Sequence, residues 1–194
     1  MSVKIGVLAL QGDFREHMWA VEKVGAEAVA VKRPAQLEDL AGLIIPGGES
    51  TTIGKLMGEY GFLEAIPERH RHGMAIYGTC AGAILLARDI VGSDQPRLGL
   101  MDMSVRRNAY GRQRESFEVL LDIPALGEDS FPAVFIRAPY IEAVYGSAEV
   151  LATYQGHIVM ARQGRLLASS FHPELTEDTR VHAYFLDMAV SRGG

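Results

Sequence analysis

The stretch Met74–Arg88, MAIYGTCAGAILLAR, reads as a strand passing through a glycine-flanked turn into a helix. Its first part, MAIYG, is a short apolar run of strand length, and its second part, AGAILLAR, is rich in good helix formers. Between them lies Gly78-Thr79-Cys80-Ala81-Gly82, a G-x-C-x-G pattern around the only cysteine of the chain. This is the cysteine counterpart of the strained strand-to-helix elbow that presents a nucleophile in α/β enzymes. A glycine on each side lets backbone approach backbone where a Cβ has no room. Such an elbow predicts a parallel β-α arrangement with the thiol raised at the carboxyl edge of a sheet. The thiol then sits at the start of a helix, whose partial positive charge favours a thiolate. Without those neighbours a lone cysteine is a small buried hydrophobe.

The same alternation extends outward from the elbow. VKIGVLAL (Val3–Leu10), AVAVK (Ala28–Lys32) and GLIIP (Gly42–Pro46) are strand-like runs. Phe14, Met18, Val21 and Val24 recur at helical spacing until Gly25, AQLEDL is a short helix, and helices are predicted over about Thr51–Tyr60 and Leu63–His70. This β-α-β-α order implies a parallel sheet covered on both faces. The second half changes character. SFEVLLDI, AVFIRAP, EVLATY, HIVMARQG and RLLASSF are strands with little helix between them, Gln163-Gly164 is a hairpin turn, and a last helix spans roughly Thr179–Ser191. The expected fold is α/β: a three-layer, open, mostly parallel, flavodoxin-like sheet with an added antiparallel segment, in one domain covering residues 1–194. In such sheets ligands bind outside the carboxyl ends of the strands.

Composition narrows the function classes. The chain has 194 residues, 48% hydrophobic and 22% charged, with a net charge of −5. That mild acidity argues against nucleic-acid and anionic-membrane partners. A single cysteine forms no internal disulfide, which points to a reducing compartment. The apolar run Ile5–Leu10 is too short to span a bilayer and leads into Gln11-Gly12-Asp13 without a small-residue cleavage site. A soluble cytoplasmic protein is the expectation. IIPGGESTTIGK (Ile44–Lys55) imitates a phosphate loop but fails its spacing, because five residues separate Gly48 from Gly54 and Leu56 follows Lys55. What remains is a glycine pair after a strand, whose N–H groups can donate to an anion or a developing oxyanion.

A cysteine nucleophile needs a base, and the base needs an orienting group. Of the six histidines, only His172 ends a strong strand and is followed by a carboxylate at i+2, in SSFHPEL (Ser169–Leu175). In an extended stretch those two side chains share a face, with Pro173 fixing the turn between them, so Glu174 can hold the imidazole tautomer. His70-Arg71-His72 lacks further ligands for a metal and reads as a solvated helix end. His17, between Arg15-Glu16 and Met18, reads as a surface or partner-contact residue. RRNAYGRQRESFE (Arg106–Glu118) packs four arginines into one loop, where a guanidinium fork can grip a substrate carboxylate.

The motifs PGGEST, GTCAG and SFHPE together resemble those of the class I, triad-type glutamine amidotransferases. LALQGDFREH, KRP, RRNAYGRQRESFE, VFIRAP and FHPELTEDTRVH narrow the resemblance to the glutaminase subunits of pyridoxal 5′-phosphate synthases, from Val3 to about Met188. Tyr110 stands where Phe or another aromatic is expected. The resemblance implies that Cys80 is the nucleophile, His172 the general base and acid, and Glu174 the orienter. It implies that Gly48, Glu49, Ser50, Arg107, Ile136 and Arg137 bind glutamine, and that the N–H groups of Gly48 and Ala81 form the oxyanion hole. Gln11 would order that region when a partner docks. The implied reaction is hydrolysis of L-glutamine to glutamate and ammonia through a glutamyl thioester, without metal or organic cofactor. The implied partner is a (β/α)₈-barrel synthase subunit that receives the ammonia for pyridoxal 5′-phosphate (vitamin B6) synthesis, in a large hetero-oligomer with one glutaminase per synthase subunit. Weak activity of the isolated chain is expected. Two alternatives stand beside this: the same triad serving a different acceptor synthase, and a non-catalytic binding subunit, against which the intact triad argues.

Overall fold

Short apolar runs in the first half become parallel strands, as their near-continuous hydrophobicity requires of a sheet buried on both faces. The computed structural model describes residues 1–110 and 116–191. The end of the arginine-rich loop, with Arg112 and Arg114, lies outside the described residues. In chain order the elements are β1 (Lys4–Leu8), α1 (Phe14–Lys23), β2 (Glu27–Val31), β3 (Gly42–Ile45), α2 (Ser50–Glu59), α3 (Phe62–Arg71), β4 (Ala75–Thr79) and α4 (Ala81–Leu86). Then follow β5 (Ala87–Ile90), β6 (Met101–Arg106), β7 (Ser116–Leu121), β8 (Phe131–Ile136), β9 (Tyr140–Val144), β10 (Glu149–Tyr154), β11 (His157–Gln163), β12 (Leu166–Ser169) and α5 (Arg180–Val190).

The main sheet runs β2-β1-β3-β4-β12-β11-β9-β6-β5, with β10 paired to β11. Its first five strands are parallel, and their order is the 2-1-3-4-5 arrangement of doubly wound flavodoxin-like sheets. Beyond β12 the pairing turns antiparallel through β11, β9 and β6, while β5 lies parallel to β6. A separate antiparallel pair, β7-β8, is the rest of the added segment. Alternate strand residues face opposite layers. Leu43, Ile45 and Ile76 pack under Ile53 and Met57 of α2 and Phe62 and Ile66 of α3. Ile5, Val7, Ile44 and Tyr77 pack under Val21 of α1 and Val181, Phe185 and Met188 of α5. Each such buried aliphatic or aromatic side chain contributes about 1.5–3 kcal/mol of transfer free energy.

Three predicted details change. The helix from AGAILLAR ends at Leu86, and Ala87-Arg88 already belong to β5. The AQLEDL helix is a short 3₁₀ turn at Pro34–Leu37, held by the Gln36 side-chain oxygen accepting from the Lys32 and Arg33 N–H groups at 2.8 and 2.9 Å. Gln163 pairs with Leu166, so the two-residue hairpin loop is Gly164-Arg165. Strands β5, β6 and β9 have no counterpart in the sequence reading. Among the described residues no helix is long and apolar enough to cross a membrane.

Candidate active site

β4 ends at Thr79, and Cys80 turns the chain into α4 with φ 52° and ψ −104°. A non-glycine residue in such a region stores of order 1–3 kcal/mol of strain, and it persists only where the surroundings enforce it. Here they do. The Cys80 N–H donates to the Ser169 carbonyl of β12 at 2.8 Å. A Cβ on Gly78 would collide with the backbone of Gly82, and a Cβ on Gly82 would collide with the Ile45 carbonyl of β3. Both glycines of the motif are therefore demanded by backbone contact. The turn leaves the Cys80 side chain facing the Ile136 carbonyl, with Sγ 3.8 Å away. At six residues, α4 offers a shorter dipole than AGAILLAR predicts.

β12 and the chain after it supply the base. The His172 N–H donates to the Val134 carbonyl of β8 at 2.8 Å, and Pro173–Leu175 then form a 3₁₀ turn. His172 and Glu174 do meet, but through that turn and not along an extended stretch. His172 Nδ1 donates to Glu174 Oε1 at 2.5 Å, with both residues buried. Burial pushes the His172 pKa down, but its bonds to Cys80 and Glu174 and their negative charge outweigh that and raise it to about 11. Burial pushes the Glu174 carboxyl above its ordinary range, opposed by the bond from His172. Asp13, which the sequence did not single out, reaches within 3.6 Å of His172 Nδ1 through Oδ2. Burial raises its pKa, opposed by the nearby His172 charge. Asp13, His172 and Glu174 hold the one cluster of potential metal-ligand atoms among the described residues, and His172 Nδ1 is already committed to Glu174.

Two further histidines lie behind Glu174. His17 is fully buried, which corrects its reading as a surface or partner-contact residue. It lies on the inward face of α1 with Ala20 and Val21. Its Nδ1 is 2.9 Å from Nε2 of His182 on α5, and its Nε2 is 3.1 Å from Thr79 Oγ1 and 3.4 Å from Glu174 Oε2. Burial, and then the charges of His182 and His172, hold the His17 pKa well below normal, while burial lowers that of His182 to about 4. Both imidazoles are neutral in the folded protein and charge on unfolding in mild acid. A depressed histidine pKa contributes stability above the unfolded value near 6.5, and that stability is lost as pH falls toward the folded value. Between pH 6.5 and about 5, each histidine should lower stability at a rate approaching about 1.4 kcal/mol per pH unit. Glu174 and Asp13, whose carboxyls burial holds above their ordinary range, act in the opposite sense where they take up protons. Urea-denaturation midpoints across that window measure the net slope, and stability that rises as pH falls would contradict the neutral pair.

The loops after β1 and β3 clamp each other beside the cysteine. Gln11 Oε1 accepts the Glu49 N–H at 2.8 Å, and the Asp13 N–H donates to the Gly47 carbonyl at 3.1 Å. Gly12, at φ 97°, lies so close that a Cβ there would strike that carbonyl. Over this clamp opens a cleft of about 580 Å³. Gln11, Gly48, Glu49, Ser50, Cys80, Ala81, Arg107, Ile136, Arg137 and His172 all line it, so Glu174 alone of the sequence candidates stays beneath the surface. Arg107 is oriented by Gln95, whose Oε1 accepts from Nη1 at 2.8 Å, and Arg137 holds a left-handed φ of 43°. Arg106 turns outward to Glu142 at 2.9 Å. His70 and His72 bond the Met74 and Glu68 carbonyls at the end of α3, in keeping with a helix-end role.

The chain matches the model of the SNO glutamine amidotransferase family over residues 7–191. It is 62% identical over 186 residues to pyridoxal 5′-phosphate synthase subunit PdxT of Moorella thermoacetica, covering 96% of this chain and 99% of that protein. The protein of the same name from Pelotomaculum thermopropionicum is 61% identical, covering 98% and 97%. A crystal structure described as a glutamine amidotransferase superposes with a TM-score of 0.91 at 55% identity, covering 95% of this chain and 98% of that one. PurLQS from Thermotoga maritima, at 17% identity and a TM-score of 0.69, covers 96% of this chain and 99% of that one and shares the fold.

Proposed function

Because this chain belongs to the SNO glutamine amidotransferase family, we propose that it is the glutaminase subunit of a pyridoxal 5′-phosphate synthase. It hydrolyses the side-chain amide of L-glutamine and passes the ammonia to the synthase subunit. The whole described chain serves as one glutaminase domain. The observation that carries the mechanism is the union in one cleft of a strained Cys80 with His172, whose imidazole is held at 2.5 Å by Glu174 beneath the surface.

The chemistry follows from that arrangement. The Cys80 thiolate attacks the amide carbon, and the oxyanion is held by the N–H groups of Gly48 and Ala81. With Nδ1 engaged by Glu174, Nε2 of His172 is free to give its proton to the departing nitrogen, which leaves as ammonia. The acyl group stays on sulfur as a glutamyl thioester. His172, now neutral, takes a proton from water, the hydroxide adds to the thioester carbon, and collapse releases glutamate and the thiolate. Arg107, steadied by Gln95, and Arg137 supply positive charge for the substrate carboxylate, while Glu49 and Ser50 offer acceptors for its ammonium group. Ammonia in neutral water is mostly ammonium, which is not nucleophilic, so a closed route to a synthase preserves its reactivity. We assign the working complex to the cytoplasm, as a large assembly with one glutaminase per synthase subunit.

The test is glutamate release from glutamine, measured with and without the synthase subunit, together with transfer of amide ¹⁵N into pyridoxal 5′-phosphate. Release strongly stimulated by the synthase, with label in the product, is expected. Equal rates with and without it would remove the partner dependence. No release in either case would remove the glutaminase.

A further inference from the structure

Glu174 has two carboxylate oxygens, and the triad uses one. Oε1 takes the His172 Nδ1–H, while Oε2 is buried, has no hydrogen bond of ordinary geometry among the described residues, and faces His17 Nε2 at 3.4 Å. On the other side of that imidazole, His17 Nδ1 meets His182 Nε2 at 2.9 Å, and His182 Nδ1 is buried with no partner among the described residues. Two tautomers of His17 are open, and they leave different debts. With hydrogen on Nδ1, His17 donates to a bare His182 Nε2, so His182 carries its hydrogen on Nδ1, where it has no acceptor. The bare His17 Nε2 then also points a lone pair at a carboxylate oxygen. With hydrogen on Nε2, His17 donates toward Glu174 Oε2, shared with Thr79 Oγ1 at 3.1 Å, and Nδ1 accepts from His182 Nε2–H. Only an acceptor lone pair on His182 is then left over. Buried orphan donors are rarer than under-used acceptors, and a carboxylate can only accept. Two separate observations, at Glu174 and at His182, select the same tautomer.

We propose that His17, held in its Nε2–H tautomer by His182, is a positioning residue that grips the second oxygen of Glu174 and keeps the carboxylate ionised and turned toward His172. The inference rests on the glutaminase reading above. His17 is fully buried and reaches no substrate, so its effect passes through Glu174. It also bonds Thr79, the residue before Cys80, and so braces the nucleophile's strand end and the orienting carboxylate with one ring.

The first test uses the wild-type chain. ¹⁵N-edited NMR of histidine-labelled protein, with His17 assigned through a variant, should show its hydrogen on Nε2, and a hydrogen on Nδ1 overturns the proposal. The second is kinetic, in the complex with synthase. His17→Leu removes the donor, whereas His17→Gln places an amide N–H near the position of Nε2. The leucine variant should lose about tenfold or more in kcat with KM for glutamine little changed. Its kcat/KM should begin to fall at a higher pH on the acid side, because an unsupported Glu174 takes a proton more readily. His172, Asp13, Tyr77 and His17 are the titratable groups that act on that carboxylate, with His182 behind His17 and Cys80 beyond His172, and all of them except His17 are unchanged in both variants. The glutamine variant should return the limb toward wild type. An unmoved limb in the leucine variant, or no recovery in the glutamine variant, overturns the proposal. If the leucine variant does not fold, the wild-type tautomer decides. No glutamine turnover by the wild-type complex would instead sink the glutaminase reading and leave the tautomer result intact.

Discussion

Cys80→Ala should bring glutamate release in the synthase complex to background, a loss of at least about 10⁵-fold, since removing the nucleophile of a coupled triad costs about as much as removing the whole triad. The fold should survive. Alanine retains the Cβ that the turn already accommodates, and the bond from the residue 80 N–H to Ser169 and the glycine contacts at 78 and 82 are backbone features. The buried surface lost is one sulfur atom. The variant should therefore still bind the synthase, and the complex should still make pyridoxal 5′-phosphate when supplied with ammonium salt at high pH. Cys80→Ser tests the same point more narrowly. It leaves an oxygen near the Ile136 carbonyl where the sulfur stood, but a hydroxyl is far less acidic than a thiol, so activity should also vanish. In the wild type, an electrophilic glutamine analogue should label Cys80 and stop turnover. Residual glutamate release above about one per cent of wild type in the alanine variant would mean that another group attacks the amide.

How far the site was legible depends on how local its parts are. The cysteine elbow is a contiguous segment whose glycines are demanded by contacts at Gly82 and Ile45, so it shows in seven residues of sequence. His172 and Glu174 are two apart, and they meet through a 3₁₀ turn as readily as along an extended stretch, so the pairing does not depend on the backbone between them. His17 and His182 are different. They meet across 165 positions, and nothing near either one announces the other. One signal for His17 was present: it falls between Phe14 and Val21 on the same apolar stripe of α1, and its charged neighbours Arg15 and Glu16 hid it. Gln95 had no local signal at all, because its role depends on Arg107 arriving from the next strand. Strand β6 does not stand out in the sequence although Met101, Met103 and Val105 alternate inward, because Asp102, Ser104 and Arg106 lower its apolar content. β5 was absorbed into the helix before it because no glycine or proline separates Leu86 from Ala87.

Glu174→Gln should lower kcat/KM by about 10³–10⁴-fold with little change in glutamine affinity, the size of effect seen when a triad carboxylate becomes an amide. The loss is one of proton placement. The wild-type carboxylate accepts from His172 Nδ1 at 2.5 Å and faces His17 Nε2 at 3.4 Å, so in the proposed tautomer each oxygen has its own N–H. An amide offers one oxygen and one NH₂ group. If its oxygen faces His172, the NH₂ meets the His17 N–H proposed above. If it flips, the NH₂ faces His172 Nδ1 and leaves the imidazole hydrogen on Nε2 alone, which disfavours the imidazolium that pairs with the Cys80 thiolate. Loss of the carboxylate charge also removes one of the two anionic neighbours that hold His172 near pH 11, so the basic limb of kcat/KM should move to lower pH. Stability has its own sign. A histidine with a raised pKa contributes stability that is full below the unfolded value near 6.5 and fades as pH rises toward 11. The amide variant should therefore lose less stability than wild type over that alkaline range. Near neutral pH the amide also avoids burying a carboxylate charge, so folding stability should change far less than activity. A denaturation midpoint that collapses in step with kcat/KM would mean that Glu174 holds up the fold, whereas a stable variant with a lowered basic limb shows that its carboxylate acts through the imidazole it orients.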